Sequence, residues 1–177
     1  MIVRTLIRLM RDLGGNAAAE MAMVTPLLLI IMMGCLEIGN YFWNEHSLLK
    51  AVRDGARYAG RQDFSNYSGC NTTDTDISSG TVGTNTKLIV RKGSLDSTQP
   101  DLLPNWSTAT FTVTCKTVTT VGTQTMTGLY TNNPTGVADV VTVQTTLTYR
   151  PVLAVALGFS GVGYQLYASS QAAVSGL

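Results

Sequence analysis

The feature that most constrains this chain is a long apolar run near its N-terminus. From Ala17 to Leu36 the sequence is almost continuously apolar. About twenty helical residues, rising about 1.5 Å each, cover the roughly 30 Å hydrocarbon core of a bilayer. The run therefore predicts one transmembrane helix surrounded by membrane lipid. In a chain of 177 residues it leaves room for one further domain.

The charges around the apolar run predict its orientation. Arg4, Arg8 and Arg11 precede the run, and no comparable basic cluster follows within the next dozen residues. Because basic residues are retained on the cytoplasmic side, the N-terminus is expected in the cytoplasm and everything after Leu36 outside it. Small residues precede the run instead of following it, so any cleavage would occur on the cytoplasmic side, unlike that of an ordinary secretory signal.

The charge balance argues against nucleic acid as a partner. Charged residues make up 13% of the chain. The first fifteen residues carry about +2, and the remaining 9 basic and 10 acidic residues leave about −1. A nucleic-acid-binding protein needs a basic surface to neutralise phosphates. The part of the chain beyond the apolar run has no such excess.

Two residues are unusual inside the apolar segment. A carboxylate such as Glu20 is costly in hydrocarbon, which favours a functional role with a counter-ion. The alternative is that Glu20 lies shallow enough to reach headgroups and water. Pro26 removes one helical hydrogen bond and clashes with the preceding turn, so a kink or a locally melted stretch is expected there.

Several sets of residues at fixed spacing lie between positions 15 and 61. They are Gly15-Asn16-Ala17-Ala18-Ala19-Glu20-Met21-Ala22, Pro26-Leu27-Leu28-Leu29, Gly34, Glu37, Gly39 and Ala51-Val52-Arg53-Asp54-Gly55-Ala56-Arg57-Tyr58-Ala59. In these residues the chain resembles the TadE-like pilins and pseudopilins of Tad (Flp) type IV pilus systems. Met21 departs from the pattern, since the family commonly has phenylalanine after the glutamate.

The resemblance implies a structural role and a processing site. In type IV pilins a prepilin peptidase cuts after a glycine and leaves glutamate as the fifth mature residue, which matches Gly15, Asn16 and Glu20. It implies a pilin or minor pilin of the bacterial inner membrane, with a single pass, a periplasmic C-terminal domain and an extracellular pilus as the final location. The implied partners are prepilin peptidase, other pilin or pseudopilin subunits and the Tad pilus assembly machinery. The implied roles are adhesion and biofilm formation.

The helix is expected to continue beyond the membrane. Apolar residues recur at steps of three and four from Ile38 to Ala59, which indicates an amphipathic extension. Small residues in this extension permit another backbone to approach closely, and this predicts packing against a partner helix; they are Gly55, Ala56, Ala59 and Gly60.

Beyond this helix the composition changes to Thr, Ser, Asn and Gly. A polar loop is expected over 64–83, and strand-like stretches at 86–91, 108–121, 137–149 and again after Pro151. Alternation predicts that Phe111, Val113 and Cys115 face the core. An apolar connection after Pro151 either contacts membrane or a partner, or forms a buried turn or short helix.

The predicted fold class is therefore α+β. A long N-terminal transmembrane and amphipathic helix is followed by a Thr-rich antiparallel β-sheet domain, in a pilin-like lollipop. The predicted divisions are a cytoplasmic leader peptide at 1–15, the helix at 16–61 and an exported β-rich domain at 62–177.

Cys70 and Cys115 are the two cysteines on the predicted outer side, while Cys35 lies in the apolar run. Export makes a disulfide between them the favoured interpretation. Two unpaired thiols are the alternative.

No catalytic constellation stands out in the sequence. The single histidine, His46, falls on a helix face without a neighbouring nucleophile, and Asp74 and Asp76 match only a fragment of a calcium loop. We therefore predict no enzyme activity, no metal and no cofactor. The alternative function is an uncleaved single-pass membrane anchor that carries an extracytoplasmic β-rich binding module.

Overall fold

The computed structural model describes residues 14–121, 124–125, 128, 130, 133, 137–156, 158 and 163–176. The chain forms two compact units, residues 1–40 and residues 41–177. The first helix, α1, runs over Gly14–Gly60 and contributes to both units. Most of the predicted leader lies outside the described residues, so the leader boundary stays a prediction.

The first part of α1 has the length and composition of a membrane span. Within Ala17–Gly60 an 18-residue window has a mean hydropathy of 2.1, and none of that window is buried in the protein. Apolar residues in this part expose about half or more of their surface, for example Met23 at 82% and Ile30 at 68%. Such a surface needs an apolar environment, and one long apolar helix of this kind indicates a membrane anchor.

In the second unit, a four-stranded antiparallel sheet has the strand order β1-β2-β5-β6. Its strands are β1 (Thr75–Asp76), β2 (Thr110–Val118), β5 (Ala138–Tyr149) and β6 (Tyr164–Ala173). Two short strands, β3 (Thr120–Val121) and β4 (Gln124–Thr125), pair separately. The predicted α+β class with a long helix and an antiparallel sheet is confirmed.

Alternation along the strands places the sheet's core face as predicted. Val113 and Cys115 on β2 and Val141 and Val143 on β5 are completely buried, and Phe111 packs against them while partly exposed. Valine and cysteine side chains on one face of the pleat form this core, while threonines occupy much of the other face. β6 adds Leu166 and Ala168 to the same core.

The predicted strand at 86–91 is wrong, because this stretch belongs to helix α2 (Thr81–Lys92). Leu88, Ile89 and Val90 form a short apolar run that fits either state. The helical state buries Val82, Thr86 and Val90, which are four residues apart, on one face. Gly93 ends the helix in the left-handed conformation at φ 70°, and its N–H donates to the Ile89 carbonyl at 2.8 Å.

The predicted polar loop at 64–83 contains regular structure. A 3₁₀ helix covers Phe64–Tyr67, β1 follows, and α2 has begun at Thr81. A second 3₁₀ helix, Trp106–Thr108, precedes β2. The connection after Pro151 contains a short helix, α3 (Val152–Ala156), with no buried residue, so the short-helix interpretation is correct but its burial is not. Leu157, Phe159 and Val162 of the predicted connection and strand lie outside the described residues.

The second part of α1 belongs to the core of the second unit. Leu48, Val52, Ala56 and Ala59 are almost completely buried within it. On the opposite side Arg57 and Asp54 form a surface ion pair at 3.6 Å. The helix end is held by distant groups, since the Tyr67 hydroxyl donates to the Ala59 carbonyl at 2.5 Å and Ser175 N–H donates to the Gly60 carbonyl at 2.7 Å. These bonds supply partners for carbonyls that a helix C-terminus leaves open.

Candidate functional site

The predicted processing site lies at the very start of α1. Gly15 and Asn16 occupy its first turn, and Glu20 follows one turn after Asn16 with an exposed side chain. Four residues of helix separate Asn16 from Glu20, which corresponds to about 6 Å along the axis. Cleavage after Gly15 would therefore create an amino group about one turn from this carboxylate.

Pro26 lies inside α1 without interrupting it. The helix is continuous through this position, so the locally melted stretch is not present. Beside it the Thr25 hydroxyl donates to the Met21 carbonyl at 2.6 Å, one turn earlier in the helix. A kink at Pro26 remains a prediction.

The stripe of small residues on α1 is occupied by the chain itself. A Cβ atom on Gly55 would lie 2.4 Å from Val90 Cγ2 and 3.3 Å from Thr86 Cγ2, both on α2. A Cβ atom on Gly60 would lie 2.8 Å from the Ala173 carbonyl oxygen of β6. Ala56 and Ala59 are buried in the same core. The close approach is therefore to α2 and β6 of the same chain, which corrects the expectation of a partner helix at these residues.

Cys70 and Cys115 are joined by a disulfide, with their Cα atoms 5.7 Å apart. Cys115 is buried on β2, and Cys70 follows the 3₁₀ helix, with its N–H donating to the Tyr67 carbonyl at 2.9 Å. The bond ties the segment after α1 to the centre of the sheet. Among the described cysteines Cys35 is free and exposed on α1.

An ion pair that the sequence analysis missed holds the loop after α2. Arg91 Nε and Nη2 donate to the two carboxylate oxygens of Asp101 at 2.6 and 2.7 Å, and Lys92 Nζ lies 3.3 Å from the same carboxylate. These hydrogen bonds from Arg91 lower the pKa of Asp101, and the same bonds raise the pKa of Arg91. Ten residues separate the partners, so no helical spacing signals the pair.

A surface groove beside the loop after α2 has a volume of about 420 Å³. It is lined by residues of α1 and of the loop after α2, namely Trp43, Ser47, Lys50, Ala51, Asp54, Gly93 and Leu102. Exposed Trp43 and Leu102 supply apolar contact, and Lys50 and Asp54 supply one charge of each sign. The groove is suited to a mixed protein contact.

The other residues considered for chemistry have ordinary surroundings. His46 is exposed on α1. Hydrogen bonds from the Ser78 side chain and from the Ser78 N–H, the latter at 2.8 Å, lower the pKa of Asp76. Asp74 is exposed in the preceding segment. Asp76 thus stabilises the turn that leads into α2.

Comparison with known proteins finds a family match over most of α1. Residues 15–57 match the family model described as TadE-like protein. No curated protein matches the chain, and no solved structure matches it either. The matched residues include Gly15, Glu20, Pro26 and Gly55, and they end before the sheet begins. The TadE-like family is a structural, pilus-associated family and not a family of enzymes. The resemblance is therefore confirmed over residues 15–57, and this TadE-like segment marks the chain as a component associated with Tad pilus machinery.

Proposed function

We propose that the chain is a prepilin-type structural subunit, a pilin or minor pilin, of a Tad-type surface pilus. The observation that carries the proposal is the coincidence of three features in one helix: the TadE-like match over residues 15–57, the Gly15-to-Glu20 spacing and an exposed apolar surface. Prepilin peptidase cuts between Gly15 and Asn16. The mature subunit remains in the inner membrane, with its β-rich part in the periplasm, until assembly.

The exposed surface of α1 supports assembly through this helix. Leu27, Leu28, Ile31 and Met32 each expose about half of their area or more. The second unit has its own core and does not need this surface. In the bilayer, lipid surrounds these side chains, and in a pilus the helices of neighbouring subunits replace the lipid. The free energy of the exchange is small per residue because both environments are apolar, so polar groups set the geometry.

We assign to Glu20 the role of setting the axial register between the helices of neighbouring subunits. After cleavage the amino group of Asn16 and the carboxylate of Glu20 are opposite charges at the edge of hydrocarbon, where an unpaired charge costs several kcal/mol. Within one straight helix the amino group points back along the axis. A neighbouring subunit that is shifted by about one turn therefore offers its amino group to this carboxylate more readily than the same subunit does. The pair fixes the axial position of one helix against the next.

The first test is the mature N-terminus of the protein from its native host. N-terminal sequencing or intact mass is expected to find Asn16 as the first residue. Gly15→Leu is expected to block the cut because a bulky side chain replaces the small residue at the site. Gly34→Leu is the control, since a Cβ atom there meets nothing within 4 Å and the position is far from the cut, and it should be processed normally. A wild-type protein that retains Gly15 joined to Asn16 supports the uncleaved anchor with a β-rich binding module instead.

The second test separates processing from assembly. Glu20→Ala and Glu20→Gln are expected to be inserted and cleaved like wild type but to reduce the sheared pilus fraction strongly, since both lose the charge. Glu20→Asp is expected to keep part of the yield with a shorter reach. Glu45→Ala, which removes a carboxylate beyond the membrane span, is the control and should assemble normally. Wild-type pilus yield from Glu20→Ala would reject the register mechanism and favour contact of Glu20 with headgroups. The mass of this chain in sheared filaments distinguishes a major from a minor subunit.

A further inference from the structure

The corner of the sheet after β5 exposes apolar side chains in an unusual arrangement. In α3, Val152, Val155 and Ala156 are related by steps of three and four residues and share one face. Val152 is 58% exposed and Val155 is 53% exposed, whereas Leu153 and Ala154 between them are half-buried. An apolar helix face that remains open to water is unfavourable by about 25 cal/mol for each Å² exposed. This face is therefore expected to have an apolar environment in the cell.

Aromatic contacts connect this corner to α1. Tyr149, the last residue of β5, pairs with Tyr164 of β6, and Tyr164 is 59% exposed. The ring of Tyr149 packs edge-on against the ring of Tyr41, with 5.4 Å between the ring centres. α3 begins three residues after Tyr149, so both Tyr164 and α3 are connected to the Tyr41 contact through Tyr149.

Tyr41 lies close to the membrane because few residues separate it from the apolar run. It follows Leu36, the end of the apolar run, by five residues. Five residues reach about 8 Å in a helix and at most about 18 Å when fully extended. Headgroups occupy several Å on each side of a roughly 30 Å hydrocarbon core. Phe42 and Trp43, next to Tyr41, are 51% and 72% exposed, and exposed aromatic rings favour this interfacial layer.

The charge of the corner matches an anionic surface. Arg150 is exposed two positions before the start of α3. It is the one charged residue between Val140 and Leu177, and the acidic residues of α1 nearest to Tyr41 in the sequence are Glu37 and Glu45, four positions to either side. A basic residue beside an apolar helix face and an aromatic ring is the combination that partitions into the headgroup region.

We propose that this corner surface, formed by Arg150, Val152, Val155 and Tyr164, docks on the anionic lipid bilayer in which α1 is inserted. The corner surface contacts the headgroups and the outer part of the acyl chains of that bilayer. Docking restrains the second unit at the membrane while the subunit is unassembled, and departure from the bilayer exposes the corner surface. The inference requires α1 to be in the membrane and is independent of cleavage at Gly15 and of Glu20.

The test uses the full chain with Cys35→Ala, which removes the free thiol on α1, and one new cysteine that carries a nitroxide label. Val155→Cys reports on the corner, and Gln171→Cys is the matched control on β6, exposed and about 23 Å along the strand from Tyr164. The protein is placed at one copy per nanodisc of phosphatidylglycerol and phosphatidylcholine. We expect the label at 155 to collide mainly with oxygen, which enters the bilayer, and the label at 171 to collide mainly with a water-soluble nickel chelate.

Removal of the basic group tests the lipid chemistry. Arg150→Gln, combined with the label at 155, is expected to lower the ratio of docked to undocked protein roughly fivefold in anionic discs, the effect of losing one basic residue at a charged surface. In discs of phosphatidylcholine alone, the substitution should change the ratio of docked to undocked protein little. Arg53→Gln, which removes an exposed charge twelve residues beyond Tyr41, is the control and should have little effect.

Two results would overturn the inference. One is equal exposure of positions 155 and 171 to the nickel chelate in single-copy anionic discs. The other is protection of position 155 only when several copies share a disc, which would assign the corner surface to a second copy of the chain. A label at Tyr164→Cys repeats the measurement on β6, so a local disturbance of α3 by the label at 155 does not decide the result.

Discussion

Gly55 leaves no room for a methyl group between α1 and α2. A Cβ atom there would lie 2.4 Å from Cγ2 of Val90, a β-branched side chain with little rotamer freedom in a helix. Gly55→Ala is therefore expected to lower the free energy of unfolding of the second unit by about 1–3 kcal/mol, despite the better helix propensity of alanine. Urea unfolding followed by tryptophan fluorescence measures the change.

The partner of Gly55 offers a direct check. Val90→Ala removes the obstructing methyl groups, so the double variant should recover part of the loss caused by Gly55→Ala alone, beyond what adding the two single effects gives. Gly69→Ala is the control, because nothing lies within 4 Å of a Cβ atom there, and its effect should stay within about 0.5 kcal/mol. Additive behaviour of Gly55→Ala and Val90→Ala would contradict the contact.

Asp101 makes the stability of the second unit depend on pH. Its pKa in the folded protein is lowered by the hydrogen bonds from Arg91, so the pair stabilises the fold above the unfolded carboxyl pKa of about 4 and this contribution is lost as the pH falls through the folded pKa. Because both side chains are partly exposed, the contribution is at most about 1 kcal/mol. Asp101→Asn is expected to lower stability at pH 7 and to match wild type more closely at pH 2 to 3.

The pair of Asp54 and Arg57 serves as the comparison for this measurement. Its atoms are 3.6 Å apart, and both side chains are more exposed than those of Arg91 and Asp101. Asp54→Asn should therefore change stability less than Asp101→Asn at pH 7. If the free energy of unfolding of Asp101→Asn differed from that of wild type by the same amount at every acidic pH, the stabilising role of the pair of Arg91 and Asp101 would be contradicted.

The disulfide determines how firmly the segment after α1 is held on β2. It closes a loop of 45 residues, for which the chain-entropy model gives at most about 4 kcal/mol. Replacement of Cys70 and Cys115 by serine is expected to lower the stability of the second unit by about 2–4 kcal/mol while α1 still inserts in the membrane. Non-reducing peptide mapping of the exported protein tests the bond itself, and two free thiols there would reject it.

Elements differ in how far the sequence reveals them. Strands β2 and β5 follow from alternation over nine and twelve residues, which few other arrangements explain. The short run at 86–91 is compatible with a strand or a helix, and contact with Gly55 of α1 decides for α2 because Thr86 and Val90 become buried together. The ion pair of Arg91 and Asp101 has no local pattern at all, since it depends on how the loop after α2 turns back.

The division of the molecule at residue 41 has a testable consequence. Helix residues 48–59 supply Leu48, Val52, Ala56 and Ala59 to the core of the second unit. A fragment that spans residues 41–177 and is exported to an oxidising compartment is therefore expected to fold cooperatively without the membrane span. A fragment of residues 62–177 loses these side chains and leaves the opposing face of β5 open, so it should not unfold cooperatively. Cooperative thermal unfolding of the shorter fragment would contradict the place of α1 in this core.

From the sequence alone follow the membrane helix, its TadE-like character, the α+β class and the two long strands, because length, hydropathy and alternation are local properties that the chain carries wherever it lies. The tertiary structure decided the rest. It placed Gly55 and Gly60 in contacts within the chain, made 86–91 part of a helix and included residues 41–60 of α1 in the same compact unit as the sheet. Each of these depends on which distant residues meet, since a small or apolar side chain has the same local pattern whether lipid, a neighbouring subunit or its own chain covers it.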